Sequence, residues 1–292
     1  MKESAGTSGF PRGGASGFIY DYIDSLPDLR GRIVVDVPCG DGRASDRFRR
    51  KGAKIIAFDL FPEFMRAEGV TASFADMTDR LPLADAVADY VICQEGIEHV
   101  PDQLKLLAEL NRVLKPGGVL LLSTPSISHM RARLSWLLFE SDSWRRMPPT
   151  TLDSVNVTDA ESGRVYFGHL FLVGVHRLTT LAAIAGFAVV DRRRTDLGFG
   201  SVLLALALYP LLIAGSLVTA VTYARKRRRQ IPLSRGWTLW REHLALNLSP
   251  VTLWCKHLFW ILRKDRSPAE QRAGLTGVWR GGTVAGATGA SS

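Results

Sequence analysis

The sequence predicts an α/β fold, a doubly wound, Rossmann-like and mostly parallel sheet that carries a C-terminal apolar and basic helical appendage. Two observations predict the sheet: apolar runs of strand length alternate with polar, helix-like segments, and the first run ends in an acidic residue and a glycine turn. Such alternation is typical of parallel strands joined by crossover helices. A third observation predicts the appendage, because residues 197–224 contain no charged side chain and arginine clusters lie on both sides of them.

The first apolar run ends at Asp36 and leads into a turn that contains Gly40 and Gly42. Glycines let the backbone approach a ligand closely, and the helix expected over residues 43–51 offers free N–H groups at its start. Ser45 occupies the position at which a complete G-x-G-x-x-G motif has its third glycine. The turn therefore indicates a nucleotide-type ligand without fixing which one.

Later apolar runs place further polar groups at the same edge of the predicted sheet. The second run ends at Asp59, just before Leu60. A carboxylate at the tip of a second parallel strand can accept hydrogen bonds from both hydroxyls of a ribose. Asp76 and Met77 follow the third run, where an adenine edge and face could sit.

Four elements together resemble the class I S-adenosylmethionine (SAM) methyltransferases, and the resemblance covers roughly residues 30–192. The elements are residues 36–42, Asp59, residues 95–99 and residues 112–118, the last being Arg-Val-Leu-Lys-Pro-Gly-Gly. The branch that matches best includes the ubiquinone-biosynthesis O-methyltransferases and many bacterial glycan and lipid methyltransferases. Pro38 replaces the first of the alternating glycines of that family.

The resemblance implies that SAM is the cofactor and assigns residues to its parts. Asp36 would lie near the methionine end, Asp59 would bind the ribose hydroxyls, and Gln94 would lie beside the sulfonium. Asp76 and Met77 would bracket the adenine. The complete set of expected cofactor-binding residues is Asp36, Gly40, Gly42, Asp59, Leu60, Asp76, Met77 and Gln94.

Glu95, Glu98 and His99 are the expected catalytic residues, because two carboxylates and an imidazole at helical spacing fall on one face. One of them could take the proton of a hydroxyl acceptor. In the resembling quinone O-methyltransferases this pattern is associated with a divalent metal, so the same three residues are the expected ligands of an ion such as Mg²⁺. The alternative is structural: the Glu–His pair would fasten the fourth strand to the next helix.

The resemblance also assigns residues 126–170 to an insertion that forms much of the acceptor pocket. His129 and His169 flank this insertion, and its tryptophans are expected to serve packing. A role for His169 in the site competes with a purely structural one. The identity of the acceptor does not follow from these residues.

Charge is distributed unevenly along the chain. Residues 1–190 contain 21 Lys and Arg against 23 Asp and Glu, whereas residues 191–292 contain 16 against 5. The basic residues of the C-terminal third accompany long aliphatic runs and no recognisable nucleic-acid-reading module, so we expect a membrane surface and no nucleic acid as a partner. Three widely spaced cysteines indicate a reducing compartment.

These features divide the chain into four expected parts. Residues 1–17 and 267–292 are rich in small residues and are expected to be disordered. Residues 18–196 would form the SAM-binding domain, and residues 197–266 a membrane-associating helical segment. The basic flanks of this segment favour a monotopic or re-entrant anchor at the inner face of the membrane. A true span and a buried helix of the domain remain alternatives.

Three functions are compatible with the sequence. The first is SAM-dependent methylation, on oxygen, of a lipid-linked acceptor such as a quinone precursor, a glycolipid or a glycan intermediate. The second is the same chemistry on a soluble sugar or small metabolite, and the third is a non-catalytic SAM-binding protein in a membrane complex. A nicotinamide oxidoreductase is disfavoured because no Tyr-x-x-x-Lys pair occurs, and a hydrolase because no Gly-x-Ser-x-Gly elbow does.

Overall fold

The computed structural model describes residues 16–142, 144, 148–158, 160–161, 163–227 and 233–276. The disorder expected for residues 1–15 and 277–292 lies outside the described residues. Two expected boundaries are corrected within them. Gly17 begins the first helix, and Pro268–Thr276 form a helix instead of a disordered tail. A capping box explains the latter, because Ser267 and Glu270 each bond the other's backbone N–H through their side chains.

Seven strands form one sheet, in the order β3-β2-β1-β4-β5-β9-β8, and two more form a separate hairpin. The strands are β1 (Ile33–Asp36), β2 (Lys54–Asp59), β3 (Ala72–Phe74), β4 (Ala88–Gln94), β5 (Leu114–Pro125), β6 (Val155–Thr158), β7 (Val165–Phe167), β8 (Phe187–Arg193) and β9 (His257–Lys264). The strands β1 to β5 pair in parallel, whereas β9 is antiparallel to both β5 and β8. The expected doubly wound, mostly parallel sheet is therefore confirmed.

Helices among the described residues cover both faces of this sheet. The described helices are α1 (Gly17–Ser25), α2 (Arg43–Arg50), α3 (Gln103–Val113), α4 (Met130–Phe139), α5 (Thr151–Ser154), α6 (Val175–Ile184), α7 (Phe199–Arg227), α8 (Leu233–Asn247), α9 (Pro250–Trp254) and α10 (Pro268–Thr276).

Successive residues of the central strands alternate between two buried cores. In β5, Leu120 and Leu122 join the core that contains α3 and α6, whereas Leu121 joins the core that contains α1 and α2. In β9, Trp260 joins the core of α3 and α6, and Phe259 joins the core of α1 and α2. Because adjacent strand residues point to opposite faces, runs that are apolar throughout bury both faces of the sheet.

Strand β9 corrects the expected helical segment 197–266. Residues 257–264 lie between β5 and β8 in the sheet, paired along their length with both neighbours. Consecutive apolar residues from Leu258 to Leu262 are buried on both faces, which a strand permits and a surface helix does not. The helical appendage is therefore an excursion between the two last strands of the domain.

The appendage consists of α7, α8 and α9. Among the described residues, Phe199–Lys226 is long and apolar enough to cross a bilayer by length and composition alone, with an 18-residue window of mean hydropathy 2.2. Helix α7 packs against α4, α8 and α9, and its residue Ala205 shares a small apolar core with Met130 and Leu253.

Candidate functional site

A cavity of about 620 Å³ lies at the carboxyl ends of β1, β2 and β4, the edge at which open α/β sheets bind ligands. Residues of the β6–β7 hairpin form its outer wall. All of the expected cofactor-binding residues except Gly42 line this cavity, and so do Glu95 and His99. The volume suits a ligand the size of a nucleoside.

The loop after β1 is shaped by buried contacts. Asp36 is buried, and its Oδ2 accepts a 2.6 Å hydrogen bond from the Ser45 hydroxyl. Ser45, at the position of the absent third glycine, thus ties the first turn of α2 to the end of β1. Gly42 lies behind the loop with φ +83°, and a Cβ there would come within 2.3 Å of the Met65 sulfur. This position therefore requires a glycine, both because a side chain would clash and because the backbone is in the left-handed region.

Asp59 connects the first two strands at the cavity. Its Oδ2 accepts from the backbone N–H of Gly40 at 2.8 Å, and its Oδ1 accepts from the backbone N–H of Phe61 at 3.0 Å. Each carboxylate oxygen retains a second lone pair. The side chain can therefore hold the loop and still accept from two hydroxyls of a ligand.

Asp76 is held by its own loop and by the hairpin. Its Oδ1 accepts from the backbone N–H and hydroxyl of Thr78, and its Oδ2 lies 3.0 Å from Arg164 Nη1. The other nitrogen of this guanidinium bonds Asp79 at 2.7 Å. Arg164 lies beyond β6, so its two ion pairs fasten the hairpin over the cavity.

Glu95 departs from the expected helical geometry. It has φ +50°, and the helical part of the segment is only the 3-10 turn Ile97–His99. The Glu95 side chain consequently turns towards Ser123, whose hydroxyl donates to Oε1 at 2.7 Å, and towards His257, whose Nε2 lies 3.7 Å from Oε2. The expectation that Glu95, Glu98 and His99 share one helical face is wrong.

His99 and Glu98 form a second group, and His169 completes it. The Glu98 side chain is fully buried, does not line the cavity and accepts from Thr124 at 2.9 Å. Its Oε1 lies 4.0 Å from His99 Nε2. Ligand atoms of Glu98, His99 and His169 all lie within 4.8 Å of one another, so this trio, not one that includes Glu95, is the described cluster able to hold a metal ion.

Burial raises the pKa of three carboxyls of the site, those of Glu98, Asp36 and Glu95, because a charged carboxylate is poorly solvated where they lie. The pKa of Glu98 rises to about 8, with the nearby Glu95 charge adding to the effect of burial. The pKa of Asp36 rises to about 7 although its bond to Ser45 opposes the shift. Burial also raises the pKa of Glu95, while Ser123 and the His257 ring favour its charged form.

Three residues of the site escape sequence reasoning. Arg164 lies in a hairpin without a motif, His257 lies in the segment 197–266 that was expected to be a membrane anchor, and Asp196 is the last residue before that segment. His257 Nδ1 lies 2.7 Å from Asp196 Oδ1, so a carboxylate, an imidazole and Glu95 form a chain that reaches the cavity. In the sequence, the available signal for Asp196 and His257 was an isolated acid and an isolated histidine at the two ends of the apolar segment.

Gln94 and Tyr20 line the wall next to the N-terminal helix. The Gln94 amide donates to the Ser16 hydroxyl at 2.7 Å, and burial raises the pKa of the Tyr20 phenol. Gln94 therefore has a partner within the chain at the position expected to lie beside the sulfonium. Of the insertion 126–170, the hairpin lines the cavity, whereas α4 packs against α7.

A family profile described as "Methyltransferase domain" matches residues 15–192. Over 114 residues the chain is 39% identical to a ubiquinone biosynthesis O-methyltransferase of Xanthomonas oryzae pv. oryzae (strain PXO99A), a match that covers 36% of this chain and 47% of that protein. A protein of the same description from Xylella fastidiosa (strain M23) is 35% identical over 113 residues, covering 36% and 46%. The chain spans about half the length of the curated relatives it matches.

A solved S-adenosylmethionine-dependent methyltransferase from Mesorhizobium loti is 17% identical to the chain. The alignment covers 86% of this chain and 98% of that structure, with a TM-score of 0.46.

Proposed function

The chain belongs to the methyltransferase-domain family, and from this premise we propose that it transfers a methyl group from SAM to an oxygen atom of a lipid-linked acceptor at a membrane surface. The observation that supports the chemistry best is one cavity that joins two sets of residues. Asp59, Asp76 and Met77 lie on the side suited to a nucleoside, and Glu95 and His99 line the same space.

SAM, when bound, supplies a methyl group already activated by its sulfonium sulfur, so the protein mainly has to align the reactants. In the proposed reaction, the acceptor oxygen forms a bond to the methyl carbon while the carbon–sulfur bond breaks and its electron pair stays on sulfur. The hydroxyl proton must then leave the oxygen. A group in the cavity that accepts this proton speeds the step.

His99 is suited to accept that proton. Its Nδ1 lies 2.9 Å from the Phe167 carbonyl oxygen, which can only accept a hydrogen bond, so Nδ1 carries the hydrogen and the neutral ring keeps its lone pair on Nε2. Oε1 of Glu98 lies 4.0 Å from Nε2, and because the pKa of Glu98 is raised to about 8, its carboxylate stabilises a positive charge on the ring once that proton is lost. Glu95, held by Ser123, is placed to orient the acceptor hydroxyl.

A divalent metal is compatible with the same residues. Oε1 of Glu98 is buried and lacks a hydrogen-bond partner within the described part of the chain, which leaves it available to a cation. Two imidazoles and one carboxylate suit an ion such as Mn²⁺, Fe²⁺ or Zn²⁺ better than Mg²⁺, which prefers oxygen ligands. Such an ion would be held by Glu98, His99 and His169 and would make the acceptor hydroxyl more acidic; Glu95 would then take the proton.

The lipid-linked nature of the acceptor is supported by the appendage. Helix α7 places large apolar side chains at the surface, and the C-terminal third carries the basic residues that favour the anionic inner face of a membrane. An acceptor that is soluble would give this surface no role in the reaction. A cytoplasmic location at that face agrees with the buried, unpaired state of Cys39, Cys93 and Cys255.

The proposal is tested by transfer of labelled methyl from SAM in extracts of the producing cell, partitioned between organic and aqueous phases. Label in the organic phase that disappears with His99→Ala supports the proposal. Label only in the aqueous phase supports a soluble sugar or metabolite as acceptor. SAM binding without any transfer supports the non-catalytic binding protein. Repeating the assay with a chelator separates the two roles of His99. Activity should be lost if His99 acts as a metal ligand, and it should be kept if His99 acts as a general base without a metal.

A further inference from the structure

We propose that α7 lies in the plane of an anionic bilayer, with one face docked on the protein and the opposite face inserted among the acyl chains, and that the last turn of α4 inserts beside it. This inference rests on the proposed function for its membrane, and it adds the orientation of the helix and a second inserted element. The uncovered apolar face of α7 and the polar contacts along its docked face support this inference.

The docked face of α7 carries two buried serines together with Leu204, Leu208 and Leu212, which pack on the protein. Ser201 and Ser216 are 0% and 4% exposed. The Ser201 hydroxyl bonds His129 Nδ1 at 3.0 Å and accepts from the backbone N–H of Arg131 at 3.2 Å, and the Ser216 hydroxyl accepts from Asn247 at 2.8 Å. Ala205 is buried between them. These positions repeat at helical spacing and so form one stripe.

The opposite face is apolar and uncovered. Leu206, Leu211 and Val218 are 64%, 68% and 66% exposed. Leu203, Leu217 and Val221 are exposed as well, and all of these positions follow the helical period. An apolar stripe along this much of a helix exceeds the scattered single residues that ordinary surfaces expose.

This distribution of side chains differs from that of a surface helix in water, because the outward face of α7 is apolar as well as the docked one. A helix on a soluble domain turns its apolar stripe inward and its polar residues outward. On α7 the docked face and the outward face are both apolar, and the buried hydroxyls of Ser201 and Ser216 face the protein. This arrangement is stable when the surrounding medium is hydrocarbon. The medium that fits the outer face of α7 is therefore lipid.

Helix α4 extends the same kind of surface. Leu137 is 78% exposed, and Trp136, Leu138 and Phe139 are exposed with it. Met130, at the other end of α4, is buried against Ala205 of α7. The four consecutive large apolar residues therefore belong to an element that packs on α7.

The docked stripe excludes an orientation across the bilayer. It runs over sixteen residues from Ser201 to Ser216, about 22 Å of helix. His129 and Arg131 lie at one end of the stripe, and Asn247, which bonds Arg133, lies at the other. A helix across the membrane would carry these polar and charged groups into the hydrocarbon, where they are costly.

Charge identifies the lipid surface. Residues 191–292 carry 16 basic against 5 acidic residues, whereas the rest of the chain is slightly acidic. Arg225 and Lys226 are exposed where α7 ends. Basic residues beside an in-plane apolar helix are attracted to anionic headgroups.

Depth-dependent fluorescence quenching tests the orientation in the full chain. Single cysteines introduced at Leu203, Leu211, Val218 and Leu137 are labelled with an environment-sensitive dye, and the native cysteines are buried and thus protected from the label. The proteins are bound to phosphatidylglycerol–phosphatidylcholine vesicles with quenchers at defined depths. We expect all four labels at one shallow depth. Depths that change steadily from position 203 to position 218 would establish a span and overturn the proposal.

The remaining outcomes concern the occupant of the surface. A label at position 137 that stays in water would remove α4 from the inserted surface. Labels that are unquenched by vesicles but buried in a dimer seen by light scattering would assign the face to a second copy of the chain.

A matched pair of variants separates this inference from the proposed function. The double variant Leu206→Ser/Leu211→Ser should lower vesicle partitioning at least tenfold. Leu152→Ser, which changes a still more exposed leucine outside this surface, in α5, should leave partitioning unchanged. SAM affinity is measured on both. Weaker partitioning of the double variant with unchanged SAM affinity supports the lipid-inserted surface, whereas equal partitioning of both variants contradicts it. A parent chain that binds vesicles but never transfers methyl contradicts only the proposed reaction.

Discussion

The backbone N–H of Gly40 donates a 2.8 Å hydrogen bond to Oδ2 of Asp59. This bond joins the glycine turn after β1 to the acid at the end of β2, two features separated by 19 residues in the sequence. The carboxylate proposed to bind the ribose therefore also fixes the loop proposed to approach the methionine end.

Asp59→Ala is expected to weaken SAM binding by about 1–3 kcal/mol, because a charged hydrogen-bond partner and the anchor of Gly40 are both lost. Asp59→Asn keeps an oxygen that can accept from Gly40 and should cost less. Titration calorimetry on both variants measures the difference. An unchanged affinity of the alanine variant would remove Asp59 from the cofactor site.

Arg164→Ala is expected to weaken SAM binding only a few-fold and mainly through faster dissociation, because the ion pairs to Asp76 and Asp79 fasten the hairpin but are partly exposed. Stopped-flow release of SAM measures the rate. Arg80→Ala, which breaks an exposed ion pair to Asp85, is the control. Equal release rates in the two variants would show that the hairpin does not retain the cofactor.

His257→Ala is expected to slow methyl transfer roughly tenfold or more while leaving SAM affinity unchanged, because it removes one of the two partners of the Glu95 carboxylate, the other being Ser123. Asp196→Asn should give a smaller loss in the same direction, since it weakens the bond that orients the ring. Single-turnover rates and calorimetry separate the two quantities. A variant that loses SAM affinity as much as rate would indicate a general structural role.

Glu98→Gln is expected to change how stability depends on pH. In the folded chain the pKa of Glu98 is about 8, above that of an exposed glutamate, so between roughly pH 4.5 and 8 the folded state keeps a proton that the unfolded state has lost. The contribution of Glu98 to stability thus falls as the pH rises through this range.

The neutral glutamine lacks this dependence, so the variant should gain on the parent by on the order of 3 kcal/mol between pH 5 and pH 9. Denaturant unfolding in the presence of a chelator measures the gain without interference from a bound metal. The pKa of Asp36 is raised as well, but Asp36 is present in both proteins, so its contribution to the pH dependence cancels in the comparison. A difference that is independent of pH would show that Glu98 is ionised in the folded state.

Excision of residues 199–253 is expected to leave a folded domain and to move the protein from the membrane to the soluble fraction. The ends of the excision already meet, because Leu197 and Cys255 form an antiparallel bridge and the Gly198 N–H donates to the Trp254 carbonyl at 2.9 Å. A short glycine turn can close the gap and keep β9 in the sheet. Circular dichroism verifies the fold, and a folded product that stays with membranes would show that α7 is not required for membrane binding.

Local patterns in the sequence were sufficient for the parallel part of the sheet. Apolar runs that end in Asp36, Asp59 and Gln94 predict buried strands, and the carboxyl ends of parallel strands necessarily meet at one edge. The side chains expected to bind SAM accordingly line one cavity. The long apolar stretch also predicted α7, because length and hydropathy are local properties.

Tertiary structure decided the features that depend on partners distant in the chain. Strand β9 joins the sheet more than 60 residues after β8, and only its two neighbours determine that an apolar run becomes a strand there. Glu95 turns to His257 because a positive φ removes it from the helical face, and His169 replaces it beside Glu98. Hydropathy alone also left open which face of α7 is docked; the bonds of Ser201 and Ser216 to other helices fix that face.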